Sequence, residues 1–433
     1  MKKGIFNYLC LILNLVLVLI LSFYTTSEAI LLMFIVIFFV QLIIDILQVK
    51  KRLVSILFVF IMLYSVSAFI AMRLGYIYFY MDPEIIVEVT GKSLASIILA
   101  YIFITISSFF FSFPSVESIK KRIRDYVLGI EKISINICIL ILCIIAGYFW
   151  SKIIFQIGIN ALLSNPRIYA TVLFEHINFY HQIILIPISI ILAIRMDYDK
   201  DSFMRNLTVK LSLALAWSPL VLVGARKELF IFVMGYFIFG GMKKLLKYMG
   251  LILIAILMLF LPLIREGWSG FNNIIMSFHE FIMPQYASFI YQQLDDVSKN
   301  SILDVSGYMV GINAMIPGFL RIHEYIPLGE STFTLGITNV GIATHFIGEA
   351  VLNFPNGGYL LFSIMYTSML LIIVKVNKIS PMIFVLFYSY LIVIGRSDFW
   401  LTMFFCCYSF IFIYLLTFRK KKQSPEAEER VLS

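Results

Sequence analysis

The stretch "LSLALAWSPLVLVGARKELFIFVMGYFIFGGM", Leu211 to Met242, decides how this chain is organised. Thirteen apolar or small residues, Leu211–Val223, stand on one side and thirteen more, Phe230–Met242, on the other. Arg226, Lys227 and Glu228 lie between them. As one helix the stretch runs about 48 Å, longer than a hydrocarbon core of about 30 Å. It also strands two cations mid-membrane, at roughly 3 kcal/mol each on insertion scales. The alternative is two short spans joined by a tight turn at Gly224–Lys227.

Composition supports the membrane reading. The 433 residues are 61% hydrophobic and only 14% charged, with a mean hydropathy of +0.95. Soluble domains carry about 25% charged residues, so this much apolar surface must be covered by lipid. Only helices and closed barrels satisfy their backbone there. Runs such as Leu11–Phe23, Ala29–Ile44 and Leu251–Ile264 are continuous, not alternating. The expectation is an all-α polytopic membrane protein.

Twelve spans are expected, at 5–23, 29–48, 53–72, 94–113, 133–150, 180–195, 207–224, 228–242, 248–264, 357–375, 380–394 and 399–418. Residues 1–264 hold nine spans, 265–356 a large outer loop, 357–418 three more spans, and 419–433 a basic tail. With both termini cytoplasmic, 24 of the 34 Lys and Arg fall on the cytoplasmic side, as the positive-inside rule asks. Making 211–242 one helix lowers that side to 18. The N-terminal apolar stretch, Ile5–Phe23, is longer than the 7–15 residues of a removable signal and reads as an uncleaved span.

Cys10, Cys138, Cys143, Cys406 and Cys407 all lie in apolar runs, which suggests neither a disulfide framework nor a zinc site. Residues 114–132 read as an amphipathic helix lying on the cytoplasmic leaflet. Asn273–Leu294, with Pro284 as a kink, reads as another lying over the outer surface. "DVSGYMVGINAMIPGFLRIHEYIP" (Asp304–Pro327) reads as a helical hairpin packed on the spans.

Two features on the outer side point to chemistry. "IGRSDFW" (Ile394–Trp400) repeats the pattern of the opening turn, an Arg after a Gly in a hairpin too short for a soluble loop. Arg226 and Arg396, with Lys227 and Arg265, are candidates to bind an anion, because guanidinium groups hold phosphate bidentately and stay charged. "ATHFIGEAVLNFPNGGYLLF" (Ala343–Phe362) puts His345 and Glu349 four residues apart, on one helix face. His345 is the candidate general base, with Glu349 orienting it or acting instead. A metal site there is weak, since no third ligand has motif spacing. No phosphate-binding loop and no cofactor motif is found.

"GARKELF" resembles the Gly-x-Arg turn, and "FIGEAVLNFPNGGY" the Gly-Glu-Ala…Asn-Phe…Gly segment, of the Wzy-type O-antigen and capsular polysaccharide polymerases. Pro355 departs from that pattern. The resemblance implies a glycosyltransferase of the bacterial cytoplasmic membrane, multi-pass, working on its outer face. It implies that undecaprenyl-pyrophosphate-linked oligosaccharide repeat units are joined there into lipopolysaccharide O-antigen or capsule. It further implies a chain-length regulator and a flippase as pathway partners. Trp268, Phe271, Tyr286 and Tyr291 are candidates to stack on sugars, although packing accounts for most of them. The alternatives are a ligase that moves lipid-linked glycan to an outer acceptor and a lipid-linked oligosaccharide flippase. A flippase predicts matched halves and mid-span charges, and the two halves here do not match.

Overall fold

The computed structural model describes residues 12–18, 20, 27–48, 51–75, 82–111, 113–164, 180–199, 203–222, 226–241, 279–316, 320, 325–336, 345–396 and 398–417. Every regular element among them is helical. In chain order the main helices are α1 (Glu28–Leu47), α2 (Arg52–Arg73), α3 (Pro83–Ser107), α4 (Val116–Leu128), α5 (Lys132–Lys152), α6 (Tyr180–Tyr198), α7 (Phe203–Leu222), α8 (Arg226–Phe239), α9 (His279–Gln293), α10 (Asp296–Ser306), α11 (Phe346–Asn353), α12 (Gly358–Ile379), α13 (Pro381–Ile392) and α14 (Phe399–Thr417). Among the described residues, six stretches are long and apolar enough to cross a membrane: Glu28–Leu47, Arg52–Arg73, Pro83–Ser107, Lys132–Ile157, Gly358–Ile379 and Phe399–Leu416. The chain is a helical, multi-pass membrane protein.

The opening stretch divides as its charges require. α7 ends at Leu222, α8 begins at Arg226, and the two helices touch. α8, with 14 residues, is short of a full span, and it is also held by α6 and α13. The expected spans at 5–23 and 248–264 fall mostly or wholly outside the described residues.

Three expectations are corrected. The span expected to start at 94 starts at Pro83. Asp82 accepts a hydrogen bond from the Glu84 amide and Pro83 fills the first helical position, two strong start signals. Glu88 and Lys92, which argue against a span, pair one turn apart. Next, 114–132 does form an amphipathic helix, but protein covers its apolar face. Ile119, Ile123 and Val127 are fully buried, and α4 packs on α6, α8 and α13. Arg195 of α6 donates to the Val127 and Ile130 carbonyls at 2.6 and 2.7 Å, satisfying acceptors that a helix end leaves open.

The third correction matters most. The described part of the expected surface helix 273–294 is α9, and it is not a surface helix. Pro284 to Phe289 are all buried, and α9 packs against α2, α3 and α11. Gln285 anchors it, accepting from the Ala68 amide at 2.8 Å and donating to Thr90 Oγ1 at 2.7 Å. The helix runs through Pro284. Ile282 and Phe289 are buried by protein, and Gln285 is buried with them because both ends of its amide are paired.

Polar contacts collect at two opposite ends of the bundle. One end holds Lys51 against Asp45 at 3.4 Å, Arg52 against Glu117 at 3.8 Å and Arg122 on the Lys378 carbonyl at 3.2 Å. The other end gathers the last turns of α2 and α13 and the first turns of α3, α12 and α14. α9 and α11 are inserted among them.

Candidate functional site

The site is built around α11, whose first residue follows His345. His345 has extended backbone and is the N-cap, its carbonyl accepting the Glu349 amide at 2.9 Å. The imidazole is fully buried. Its Nε2 lies 3.0 Å from Ser65 Oγ on α2 and its Nδ1 lies 3.1 Å from Ser288 Oγ on α9. Ser65 gives its only hydrogen to the Ile61 carbonyl at 2.8 Å. It therefore accepts from His345, which assigns the proton to Nε2 and makes Nδ1 the acceptor of the Ser288 hydroxyl. Burial lowers the His345 pKa to about 3, so the ring is neutral and ties three helices together. Gly348 permits the close approach, because a Cβ there would fall on Ser288.

Glu349 points elsewhere. Its Oε2 accepts the Phe399 amide at 2.8 Å, at the start of α14. Its Oε1 has no hydrogen-bond partner among the described residues. Beside it stands Asp398, buried to 2% exposure. Asp398 Oδ2 accepts the Leu328 amide at 3.0 Å, and Oδ1 accepts the Leu401 amide at 3.1 Å, capping α14. Burial raises the pKa of both carboxyls, and for Glu349 the negative Asp398 adds to the effect. Two like charges in low dielectric cannot both ionise freely. The backbone donors favour charge on Asp398, so of the two Glu349 is the carboxyl that keeps its proton to higher pH. Together they titrate as a coupled pair.

Three tyrosines surround the pair. Tyr291, Tyr308 and Tyr325 all have hydroxyls raised well above the usual pKa, first by burial and then by the two carboxyls. None of the three hydroxyls meets full hydrogen-bond geometry with a described residue, although Tyr325 faces Asp398. Asn353 fixes the covering segment, its Oδ1 accepting the Tyr308 amide at 2.7 Å and its Nδ2 donating to the Glu349 carbonyl at 2.9 Å. Phe346 and Phe399 stack 5.2 Å apart beneath. The result is a pair of neighbouring buried carboxyls in an aromatic setting, with several polar groups available to a ligand's hydroxyls.

The sequence candidates distribute unevenly. Glu349 is brought to Asp398 rather than to the His345 ring. Arg396 closes a short 3-10 turn, Ile394–Arg396, two residues before Asp398; the turn packs on α2, α9, α11 and α13. Arg226 is the first residue of α8. Lys227 lies over the Phe405 ring at 5.7 Å, and Phe405 is six residues, about 9 Å, along α14 from Phe399. Both arginine turns thus lie at the same end of the bundle. Arg265, Trp268 and Phe271 are outside the described residues, whereas Tyr286 and Tyr291 are buried. The sequence reading missed Asp398, Tyr308 and Tyr325. Asp398 had a signal, an Asp in cap position inside the "IGRSDFW" turn. The tyrosines had none.

Among the described residues no group of three or more His, Cys, Asp or Glu is placed to hold a metal ion. No family model, no curated protein and no solved structure matches the chain.

Proposed function

We propose that this protein polymerises undecaprenyl-pyrophosphate-linked oligosaccharide repeat units into O-antigen or capsular polysaccharide on the outer face of the bacterial cytoplasmic membrane. In this reading the chain crosses twelve times with both termini inside, and the Glu349–Asp398 end faces outward. One observation carries it: two neighbouring buried carboxyls, Glu349 and Asp398, lie beside the Arg396 turn at one end of a membrane bundle.

The chemistry follows from that placement. A hydroxyl oxygen of the acceptor sugar bonds to the donor's anomeric carbon. The bond from that carbon to the pyrophosphate oxygen breaks, and its electron pair leaves with undecaprenyl pyrophosphate. The hydroxyl proton passes to the carboxyl pair, Asp398 accepting while Glu349 holds its own proton. General-base assistance of this kind is typically worth 10²–10⁴-fold. Arg396 and Arg226, with Lys227 and Arg265, stabilise the departing anion, the type of preorganised charge that often contributes most to catalysis. His345 holds α11 in register. The carboxyls are covered in this structure, so turnover requires the segment carrying Tyr308 and Tyr325 to move off them.

Deleting the gene in its host tests the proposal, with surface glycan run on a gel and the lipid-linked pool analysed beside it. Single repeat units on the surface, with polymer lost, support polymerisation. Long polymer stranded on carrier lipid means a ligase. Single units stranded inside, with no surface glycan, mean a flippase and sink the proposal.

A further inference from the structure

At the end of the bundle opposite the carboxyl pair, two clefts share Val54 and Phe113 as a common wall. The first carries the polar groups, Lys51, Ser55, Tyr101, Thr105 and Ser108, on a wall that is otherwise largely apolar. The second is apolar, lined by Leu57, Leu370, Ile373 and Phe384 between α2, α12 and α13. Both are open clefts and not enclosed cavities.

Ser55 makes the first cleft unusual. It is fully buried in the first turns of α2, and its Oγ finds no hydrogen-bond partner among the described residues. A buried hydroxyl left unpaired is costly, so its position on the cleft wall asks for a ligand acceptor. Beside it Lys51 pairs with buried Asp45 at 3.4 Å, and Tyr101 donates to the same carboxylate. The Lys51 side chain stays 23% exposed. The rim adds Arg52, which meets Glu117 at 3.8 Å, and Lys375, which lies over the Phe111 ring at 5.7 Å. The local balance of Lys51, Arg52 and Lys375 against Asp45 and Glu117 is positive. Phe109, Phe110 and Phe111, just before Phe113 in the chain, are exposed.

We propose that the two clefts together hold one anionic phospholipid. Its phosphate accepts from Ser55 and meets the Lys51 ammonium, and one acyl chain lies in the apolar cleft. A cationic rim that continues into an apolar groove matches the two halves of such a lipid, and neither half alone uses both clefts. This site is separate from the carboxyl pair and stands whether or not the protein is a polymerase.

The test melts purified full-length protein in detergent while titrating short-chain phosphatidylglycerol, phosphatidylcholine of equal chain length, or glycerol phosphate. Phosphatidylglycerol should raise the melting temperature saturably, and the other two should not. Ser55→Val and Lys51→Gln should each weaken the apparent affinity about tenfold or more, as loss of a hydrogen bond to a charged group predicts. Lys92→Gln, at the other end of the bundle, should leave it unchanged. Ser55→Val removes only an unpaired hydroxyl, so it remains a valid test should the loss of Lys51 unbalance Asp45. Equal shifts with phosphatidylcholine overturn the proposal. So does a full shift with glycerol phosphate, which means a free-phosphate site, or a Ser55→Val protein that responds like wild type.

Discussion

Replacing His345 by Asn and lowering the pH tests the architecture around α11. At pH 7 the variant loses the fitted ring and leaves Ser65 or Ser288 without its partner. One buried polar group so stranded costs about 1–3 kcal/mol. Acid then acts on the wild type alone. The folded pKa of His345 is lowered from 6.5 to about 3 by burial. A lowered histidine binds protons in the unfolded chain first, so stability is full above about pH 6.5 and drains away below it, at about 1.4 kcal/mol per pH unit. By pH 4.5 the wild type has lost about 2.7 kcal/mol through this residue. The variant lacks the titration, while Glu349 and Asp398 titrate alike in both proteins and cancel in the difference. Thermal melts in mild detergent from pH 7 to 4.5 should therefore converge, with the wild-type advantage largely gone at the acid end. A gap that stays constant over this range refutes the buried neutral ring between two serines.

Glu349→Gln keeps an acceptor for the Phe399 amide and a donor where the carboxyl proton sits, so the protein should fold. Because the native pKa of Glu349 is raised, the wild type loses stability as pH rises above the ordinary glutamate range. The variant should gain on it by about 1.4 kcal/mol per pH unit there while polymer production falls at least about 10²-fold; pH-dependent melts and a surface-glycan gel read both. Asp398→Asn places an amide against the Leu328 or Leu401 N–H, and a melt should show a loss of about 1–2 kcal/mol, the usual worth of a helix cap. Gly348→Ala drives a methyl group into Ser288, and overpacking of about 1–3 kcal/mol should appear as a lower melting temperature. Arg226→Ala and Arg396→Ala, at normal protein levels, should each shorten or abolish the polymer; unchanged length and amount would remove the pyrophosphate role.

The charged turns read well from sequence because lipid makes them costly. Arg226 and Lys227 in mid-apolar sequence force a helix break, and the break lies there. His345 and Glu349 were legible as polar residues in an apolar segment, but their partners were not. Four residues of spacing predicts a shared face, yet a cap residue is not on the helix face. The His345 side chain turns to Ser65 and Ser288, while Glu349 turns to α14.

By itself, the sequence determined that this chain lives in a membrane as helices, where one long apolar stretch must break, and which polar residues stand out against that background. Each follows from local free energy, the transfer of side chains and backbone between water and lipid. Only the tertiary structure decided that α9 is an interior helix, that His345 is a neutral strut, and that Asp398 is the partner of Glu349. Those outcomes depend on which helices meet, and burial by protein cannot be told from burial by lipid along a sequence that is apolar almost throughout.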